Sequence, residues 1–203
     1  MESKIDTKNW IPVGNQVMLR PAKIGKKNPF EIESLAQKDA YEVIGFGSAY
    51  KADGLEDKMM VGDKVIIIEN EAKRSKGTKI SIGGEEVWFY PPEEIALILR
   101  KDEGDSEYKL IPIHDFCLLE RFESETMIGN LYIPHTAEEK SVHAKVRYIG
   151  TGVSSNEEKK HEFSVAVGDE VIISKWNNNE LEIDGKTYIL EKESEILAKV
   201  ENQ

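Results

Sequence analysis

The sequence is poor in cysteine and has no long apolar run. Cys117 is the only cysteine among 203 residues, so an internal disulfide framework is excluded. A single thiol fits a reducing compartment, and we expect a cytoplasmic protein. No segment approaches the roughly 18 consecutive apolar residues that a membrane-spanning helix needs. The sequence therefore predicts no membrane partner.

Positive charge is also scarce. The chain has 27 Lys and Arg against 38 Asp and Glu, a formal net charge of −11. Binding to a phosphate backbone requires clustered basic residues, so nucleic acid is not an expected partner. The basic stretch at residues 73–79 is most simply explained as a solvated hairpin. Apolar residues make up 39% of the chain, enough for a folded core.

Residues that would carry catalysis or bind a metal form no recognisable pattern. No His or Cys pair has the spacing of a zinc site, and no glycine-rich phosphate loop precedes a helix. Cys117 lies in an apolar run with no histidine implied as its partner, so it is expected in the core. Adjacent acid pairs such as Glu93-Glu94 are expected to be solvated, since neighbours in a strand face opposite ways. We therefore predict no enzyme activity, no cofactor and no metal.

The chain repeats itself at a distance of about one hundred residues. Five blocks of the first half recur in the second half in the same order: 11–19 with 111–119, 43–47 with 146–150, 61–67 with 167–173, 82–89 with 183–190, and 94–95 with 195–196. The repeat predicts four parts: an N-terminal tail (1–9), a first domain (10–100), a charged linker (101–109) and a second domain (110–201).

The pattern of each half predicts short strands joined by tight turns. A Gly-Asp pair precedes a β-branched run at Val65 and again at Val171. Gly83-Gly84 and Asp184-Gly185 have the form of two-residue hairpin turns. Segments 92–95 and 193–196 suit single helical turns that lead into a last strand. An all-β protein is predicted, with two tandem small β-barrels.

Several blocks of the second half, in order, resemble the GroES-type co-chaperonins, the lids of GroEL-type chaperonins. They are Pro112-Ile-His-Asp115, Gly129-Asn-Leu-Tyr-Ile-Pro134, Ala144-Lys-Val-Arg-Tyr-Ile-Gly150 and Val167-Gly-Asp-Glu-Val-Ile-Ile173. The resemblance implies two GroES-like barrels in one chain and a binding role without catalysis.

In the family that it resembles, a long mobile loop between the first two strands carries an apolar triplet that inserts between helices of the chaperonin. The corresponding residues are Gly129 as hinge, the triplet Leu131, Tyr132 and Ile133, and then Pro134. From local sequence alone the triplet could equally be a buried strand. Polar stretches on both sides, 120–128 and 135–140, favour an apolar island in a solvated loop.

The first half is more divergent from the same pattern. Its loop spans residues 23–35, and the contact segment should fall near Phe30 and Ile32. It lacks a Gly-Gly pair, and Glu31 interrupts the apolar residues. The resemblance implies an ATP-dependent partnership with a GroEL-type chaperonin.

The resemblance also implies a homo-oligomeric ring, in which the last strand of one barrel pairs with the first strand of the next. Segments 95–99 and 110–119 are expected to pair in this way within one chain. Two barrels per chain then favour a closed ring of three or four chains.

Two other classes of protein compete with this interpretation. Zinc-type alcohol dehydrogenases contain a GroES-like barrel, but they also need a nucleotide-binding domain and several zinc-binding cysteines, which the sequence lacks. A non-catalytic structural or scaffold protein built from duplicated GroES-like barrels stays open as the alternative. An apolar triplet in a polar loop favours the co-chaperonin, because a scaffold has no need of it.

Overall fold

A computed structural model describes residues 10–22, 40–48, 59–68, 77–82, 84–122, 127–128, 131–132, 142–152, 162–175 and 179–200. These residues form an all-β structure with two single 3-10 turns, Pro92–Glu94 and Glu193–Glu195. In this part of the chain, no helix is long and apolar enough to cross a membrane. The strands are β1 (Val17–Ala22), β2 (Ala40–Phe46), β3 (Lys64–Ile67), β4 (Thr78–Ile82), β5 (Glu85–Tyr90), β6 (Ile95–Arg100), β7 (Lys109–Pro112), β8 (Phe116–Arg121), β9 (Met127–Ile128), β10 (Leu131–Tyr132), β11 (His143–Ile149), β12 (Glu170–Ile172), β13 (Glu180–Ile183), β14 (Lys186–Lys192) and β15 (Ala198–Lys199).

Two large antiparallel sheets have the same strand order. The first sheet runs β4-β5-β1-β2-β3-β6-β7, and the second runs β13-β14-β8-β11-β12-β15. Each strand of the second sheet thus has a counterpart in the first, and β7 is the one addition. The all-β prediction is confirmed. The pairings found among the described residues close neither sheet, so barrel closure stays a prediction.

The turn before β3 in the first sheet and the turn before β12 in the second sheet are built in the same way. The Gly62 N–H donates to the Val43 carbonyl at 2.8 Å, and the Gly168 N–H donates to the Val146 carbonyl at 2.8 Å. The two glycines have φ values of 97° and 98°, a region that other residues rarely adopt. The strands predicted to follow these turns are present as β3 and β12.

The predicted hairpins and single turns are also present. Ile82 pairs with Glu85 and Ile183 pairs with Lys186, so two residues separate the strands in each hairpin. In the second hairpin Asp184 and Gly185 both have positive φ, 50° and 77°, as a type I′ turn requires. The 3-10 turns precede β6 and β15, as expected.

The junction of the two halves is a strand pair. Leu99 of β6 pairs with Leu110 of β7, and the pairing extends from Arg100–Lys109 to Leu97–Pro112. Residues 101–108, within the predicted charged linker, therefore connect two paired strands as a hairpin. Its end is fixed to the second sheet, because the Tyr108 N–H donates to Asp184 Oδ2 at 2.7 Å.

The pairing expected between segments 95–99 and 110–119 is confirmed only for its first part. The chain turns after β7, with His114 at a φ of 55°, and β8 then joins the second sheet. β7 thus extends the first sheet, while β8 begins the second. Residues 109 and 110, where the predicted linker meets the predicted second domain, both lie in β7, and the division into domains stays a prediction.

A shared hydrophobic core covers this junction. One cluster of buried side chains draws members from both halves: Ala40, Ile66, Ala96, Leu97, Leu99 and Leu110, together with Phe116, Leu118, Leu181, Ile183, Tyr188 and Leu190. A second cluster consists of first-half residues together with Ile111 and Ile113 of the second half, and a third lies within the second half. The halves are therefore packed against each other through apolar surface, which is the dominant stabilising term in folding.

An ion pair ties the end of β6 to the turn before β3. Arg100 donates from Nε to Asp63 Oδ1 at 2.9 Å and from an Nη atom to Oδ2 at 2.8 Å. Both side chains are largely buried. The corresponding aspartate of the second half, Asp169, contacts the half-exposed Lys199 at 2.7 Å. This hydrogen bond lowers the pKa of Asp169, so the contact contributes stability at neutral pH that is lost as the pH falls below the usual aspartate range.

The two aspartates offer a matched test of this difference in burial. Asp63→Ala is expected to lower the free energy of unfolding by about 3 kcal/mol, because Arg100 loses both acceptors inside the protein. Asp169→Ala is the control, and its loss should be clearly smaller because water replaces the contact to an exposed lysine. Urea unfolding followed by circular dichroism measures both variants. Equal losses would contradict the assigned role of the Asp63–Arg100 pair.

Candidate functional site

The chain leaves the second sheet between β8 and β11 and returns to it at an adjacent point. Arg121 pairs with Ala144, and the Phe122 N–H donates to the His143 carbonyl at 3.1 Å. The Ile173 N–H also donates to the Val142 carbonyl at 2.8 Å. Both ends of the intervening segment are therefore fixed side by side on the sheet.

Ion pairs surround the two ends at which this segment leaves and rejoins the sheet, which we call its base. Arg121 Nε lies 3.4 Å from Glu180 Oε1, and His143 Nδ1 lies 2.9 Å from Glu170 Oε1. Arg147 forms a further hydrogen-bonded pair with Glu120. Next to these charges, Phe122 and Val142 expose large parts of their apolar side chains to solvent.

Within the segment, β9 and β10 form a two-stranded antiparallel hairpin. Leu131 pairs with Ile128, and Tyr132 pairs with Met127. In the described part of the chain the hairpin is a sheet of its own, separate from the two large sheets. Two-stranded hairpins that lack further support are only marginally stable in water.

The hairpin adds two residues that the sequence interpretation missed. Met127 and Ile128 were assigned to a polar stretch, yet their backbone pairs with the predicted triplet. The signal was present, because two apolar residues directly precede Gly129-Asn130, and such glycine-containing pairs often connect hairpin strands.

The predicted binding residues are only partly covered by the structure. Leu131 and Tyr132 lie in β10. The other five lie outside the described residues: Gly129, Ile133, Pro134, Phe30 and Ile32. Their assignment to a binding site stays a prediction.

The first half has a corresponding segment at the same point of its sheet. β1 and β2 stay paired as far as Ala22 and Ala40, so residues 23–39 begin and end on adjacent strands. An exposed ion pair, Arg20 to Glu42 at 3.0 Å, lies near this base. In both halves, therefore, a connecting segment begins and ends on the equivalent pair of strands.

An open cleft of about 420 Å³ lies beside the base of the second segment, with both charged and aromatic residues in its lining, among them Glu120, Arg147, Tyr148, Lys186 and Tyr188. Burial raises the pKa of Tyr188. Across the described residues, no three His, Cys, Asp or Glu side chains converge to hold a metal ion. The cleft thus presents a mixed surface without a set of metal ligands.

Cys117 is a core residue, as predicted from the sequence. It is fully buried on β8 and packs in the core of the second half. Burial raises the pKa of its thiol to about 12, and the nearby carboxylates of Glu193 and Asp115 add to this effect. The thiol is therefore protonated at neutral pH and is a poor nucleophile.

Alkylation rates can test this assignment. In the native protein at pH 8, Cys117 is expected to react with iodoacetamide far more slowly than the same residue in urea-unfolded protein, because the folded state buries and protonates the thiol. Mass spectrometry of the intact chain measures the modified fraction over time. Native and unfolded rates of similar size would show that Cys117 is accessible.

The comparison with protein families concerns the second half. The family described as the chaperonin 10 Kd subunit matches residues 109–200. A co-chaperonin GroES from Pelagibacter ubique is 41% identical over 90 residues, which cover 44% of this chain and 94% of that relative. A co-chaperonin GroES from Pelobacter propionicus is 39% identical over 94 residues, 46% of this chain and 99% of the relative.

The matched family and the matched relatives place the second half among proteins of co-chaperonin type. With nearly the whole length of these relatives matched, the chain belongs to the chaperonin 10 family. The names of the relatives support a co-chaperonin role. Such a role involves no catalysis by the co-chaperonin itself, which is consistent with the prediction that the chain is not an enzyme.

Proposed function

We propose that the chain is a co-chaperonin that binds a GroEL-type chaperonin in the presence of ATP and caps its folding chamber. The contact is made by the segment between β8 and β11, through Leu131, Tyr132 and Ile133 next to Gly129 and Pro134. The observation that carries the proposal is the β9–β10 hairpin, an apolar sequence that stands apart from the large sheets within the part of the chain that matches the family.

The energetics of this contact suit a reversible lid. Each apolar side chain buried in a chaperonin groove contributes roughly 1.5–3 kcal/mol, and ordering the loop cancels part of this gain. One loop therefore binds weakly. Several loops on one assembly bind together through a high effective concentration and still release when the chaperonin changes state. Hydrolysis of ATP belongs to the chaperonin.

We further propose that both halves are GroES-like barrels in tandem, and that whole chains assemble into a closed ring. The identical strand order of the two sheets and the matching turns at Gly62 and Gly168 support the duplication. We propose that the first-half contact, near Phe30 and Ile32, binds the chaperonin more weakly than the second-half contact, because Glu31 interrupts its apolar residues. A cytoplasmic location, expected from the sequence, stays a prediction.

Substitutions in the triplet test the proposed contact. Tyr132→Asp or Ile133→Asp should abolish ATP-dependent co-migration with a GroEL-type chaperonin, because a carboxylate cannot enter an apolar groove without a large desolvation cost. Thermal unfolding should be nearly unchanged, since a loop residue contributes little to the core. Native gel electrophoresis with and without ATP measures the binding.

Two controls accompany this test. Tyr148→Asp changes a partly exposed tyrosine on β11, outside the loop, and should leave binding intact. Phe30→Asp should weaken binding less than Tyr132→Asp does. A triplet variant that unfolds would show that the triplet belongs to the core. A wild-type chain that binds no chaperonin under any nucleotide condition would favour the scaffold alternative.

A further inference from the structure

The open cleft beside the base of the second segment contains a tyrosine whose hydroxyl forms no hydrogen bond with the described residues. Tyr188 lines this cleft although only 7% of its surface is exposed. A tyrosine hydroxyl in so buried a side chain usually has a hydrogen-bond partner, so its absence requires an explanation. Because Tyr188 forms part of the wall of the cleft, a ligand bound in the cleft can supply that partner.

Other hydrogen-bond donors line the same cleft. Tyr148 is 39% exposed, and its hydroxyl also has no hydrogen bond within the described part of the chain. Lys186 is exposed and forms no ion pair with the described residues. Arg147 is hydrogen-bonded to Glu120, which offsets the acidic side chain among the lining residues. Two phenols and an ammonium group therefore line one cleft, and such groups together bind an acceptor that carries negative charge.

Negative charge near the cleft limits the ligand to a small anion. Burial raises the pKa of Tyr188, and the neighbouring Tyr148 adds to this effect. The carboxylates of Glu120 and Glu107 also raise this pKa, so negative charge is already close to the ring. A polyanion such as a nucleic acid would be repelled by these carboxylates and by the net charge of −11. A single carboxylate is therefore the anion that suits the cleft.

Apolar surface beside the donors indicates the rest of the ligand. Val146 and Val167 belong to the lining, and Val167 exposes 61% of its surface. The rings of Tyr148 and Tyr188 add aromatic surface. The volume of about 420 Å³ lies within the roughly 300–1,000 Å³ of sites that hold small ligands. An apolar or aromatic body joined to one carboxylate would cover this surface and supply an acceptor at the same time.

The first half keeps the frame of this cleft but not its functional side chains. Three frame positions are the same in both halves: Val146 and Val43, Val167 and Val61, Gly168 and Gly62. Three lining positions differ, because Tyr148, Lys186 and Tyr188 are replaced by Gly45, Glu85 and Val87. A side chain at position 45 would also approach the Met18 side chain to 3.2 Å. The cleft and its donors are therefore produced by the side chains of the second half and not by the strand order alone.

We infer that this cleft binds a single carboxylate joined to an apolar or aromatic body, as a peptide presents at a C-terminus that ends in a large apolar residue. Tyr148, Lys186 and Tyr188 bind the carboxylate, and Val146 and Val167 pack against the apolar body. An acidic side chain next to an apolar residue within a peptide offers the same chemistry. The inference goes beyond the proposed co-chaperonin function and does not rest on it, because the lining includes no residue of the β9–β10 hairpin.

A pair of fluorinated probes tests the site in the full chain. N-acetyl-4-fluorophenylalanine carries a carboxylate and an aromatic body, and its carboxamide lacks only the charge. The fluorine NMR signal of the acid should broaden as the protein is added, and a titration gives its Kd. The carboxamide should bind at least roughly tenfold more weakly, because hydrogen bonds to a charged acceptor are the stronger ones. Equal binding of the two probes, or binding of neither at the highest attainable protein concentration, would overturn the inference.

Conservative substitutions locate the binding in the cleft. Tyr188→Phe and, at an exposed position, Tyr148→Phe should each raise the Kd of the acid at least roughly fivefold, because each removes only a hydroxyl donor. Neither should lower the unfolding temperature, since these hydroxyls form no hydrogen bond with the described residues. Lys186→Gln should raise the Kd roughly threefold at low salt and less at high salt. Lys192→Gln is the matched control, because it removes the same charge from the same strand outside the lining. Equal losses in the two lysine variants, or no loss in either tyrosine variant, would overturn the inference.

Two peptides distinguish the sources of the carboxylate. Acetyl-Ala-Ala-Phe with a free C-terminus should displace the fluorinated acid. Displacement by acetyl-Ala-Glu-Phe-Ala-amide instead would assign an acidic side chain and still support the same chemistry, whereas displacement by neither peptide would overturn the inference. The readout is independent of the chaperonin contact, because Tyr148→Asp should lose the probe and keep the chaperonin. Chains that bind the probe but no chaperonin would refute the proposed function alone, and chains that bind chaperonin but no probe would refute this inference alone.

Discussion

The antiparallel pairing of β6 with β7 is the contact on which the arrangement of the two halves depends. It extends the first sheet by a strand that the second half contributes, and it brings together apolar side chains of both halves in one core cluster. The buried Asp63–Arg100 pair holds the end of β6 at this point. If β6 and β7 separated, the strand edges and the cluster would be exposed together, and such surfaces invite uncontrolled association.

The candidate site, the segment between β8 and β11, differs from this core because only its two ends are held by the large sheets in the described part of the chain. Its base is fixed by backbone hydrogen bonds at Phe122 and Val142 and by ion pairs around Arg121 and His143, while its hairpin is paired only with itself among the described strands. The segment is fixed to the sheet at its base, and its hairpin is separate from the two large sheets. This arrangement suits the proposed binding of a partner by the hairpin. In the proposed contact, organisation of the tip as a hairpin would also lower the entropy cost of binding.

Much of the fold could be predicted because its signals are local. The turns before β3 and β12 need a residue with positive φ, which glycine supplies in each Gly-Asp pair. Two-residue hairpin turns need residues such as Asp184 and Gly185, so both kinds of turn can be recognised in the sequence. The composition of residues 101–108 indicates only a charged linker, and the strand pairing on either side of it was expected from the family resemblance and not from that composition. Met127 and Ile128 were missed because two apolar residues carry no clear period, and the only local signal of their pairing is the Gly129-Asn130 that follows. Glu94 was expected to be solvated, yet it is buried at the end of the first 3-10 turn, because its burial depends on tertiary contacts that composition does not record.

The short connection at residues 101–108 has a consequence for stoichiometry. Because the two halves belong to one polypeptide and pair within it, every molecule carries one segment of each kind, at 23–39 and at 123–141, whatever the level of expression. Neither half can be replaced by a copy of the other, and their order along the chain is fixed at synthesis. The two segments are therefore free to diverge in sequence, as the glycine at 129 and the glutamate at 31 illustrate, while their ratio and their spacing stay constant.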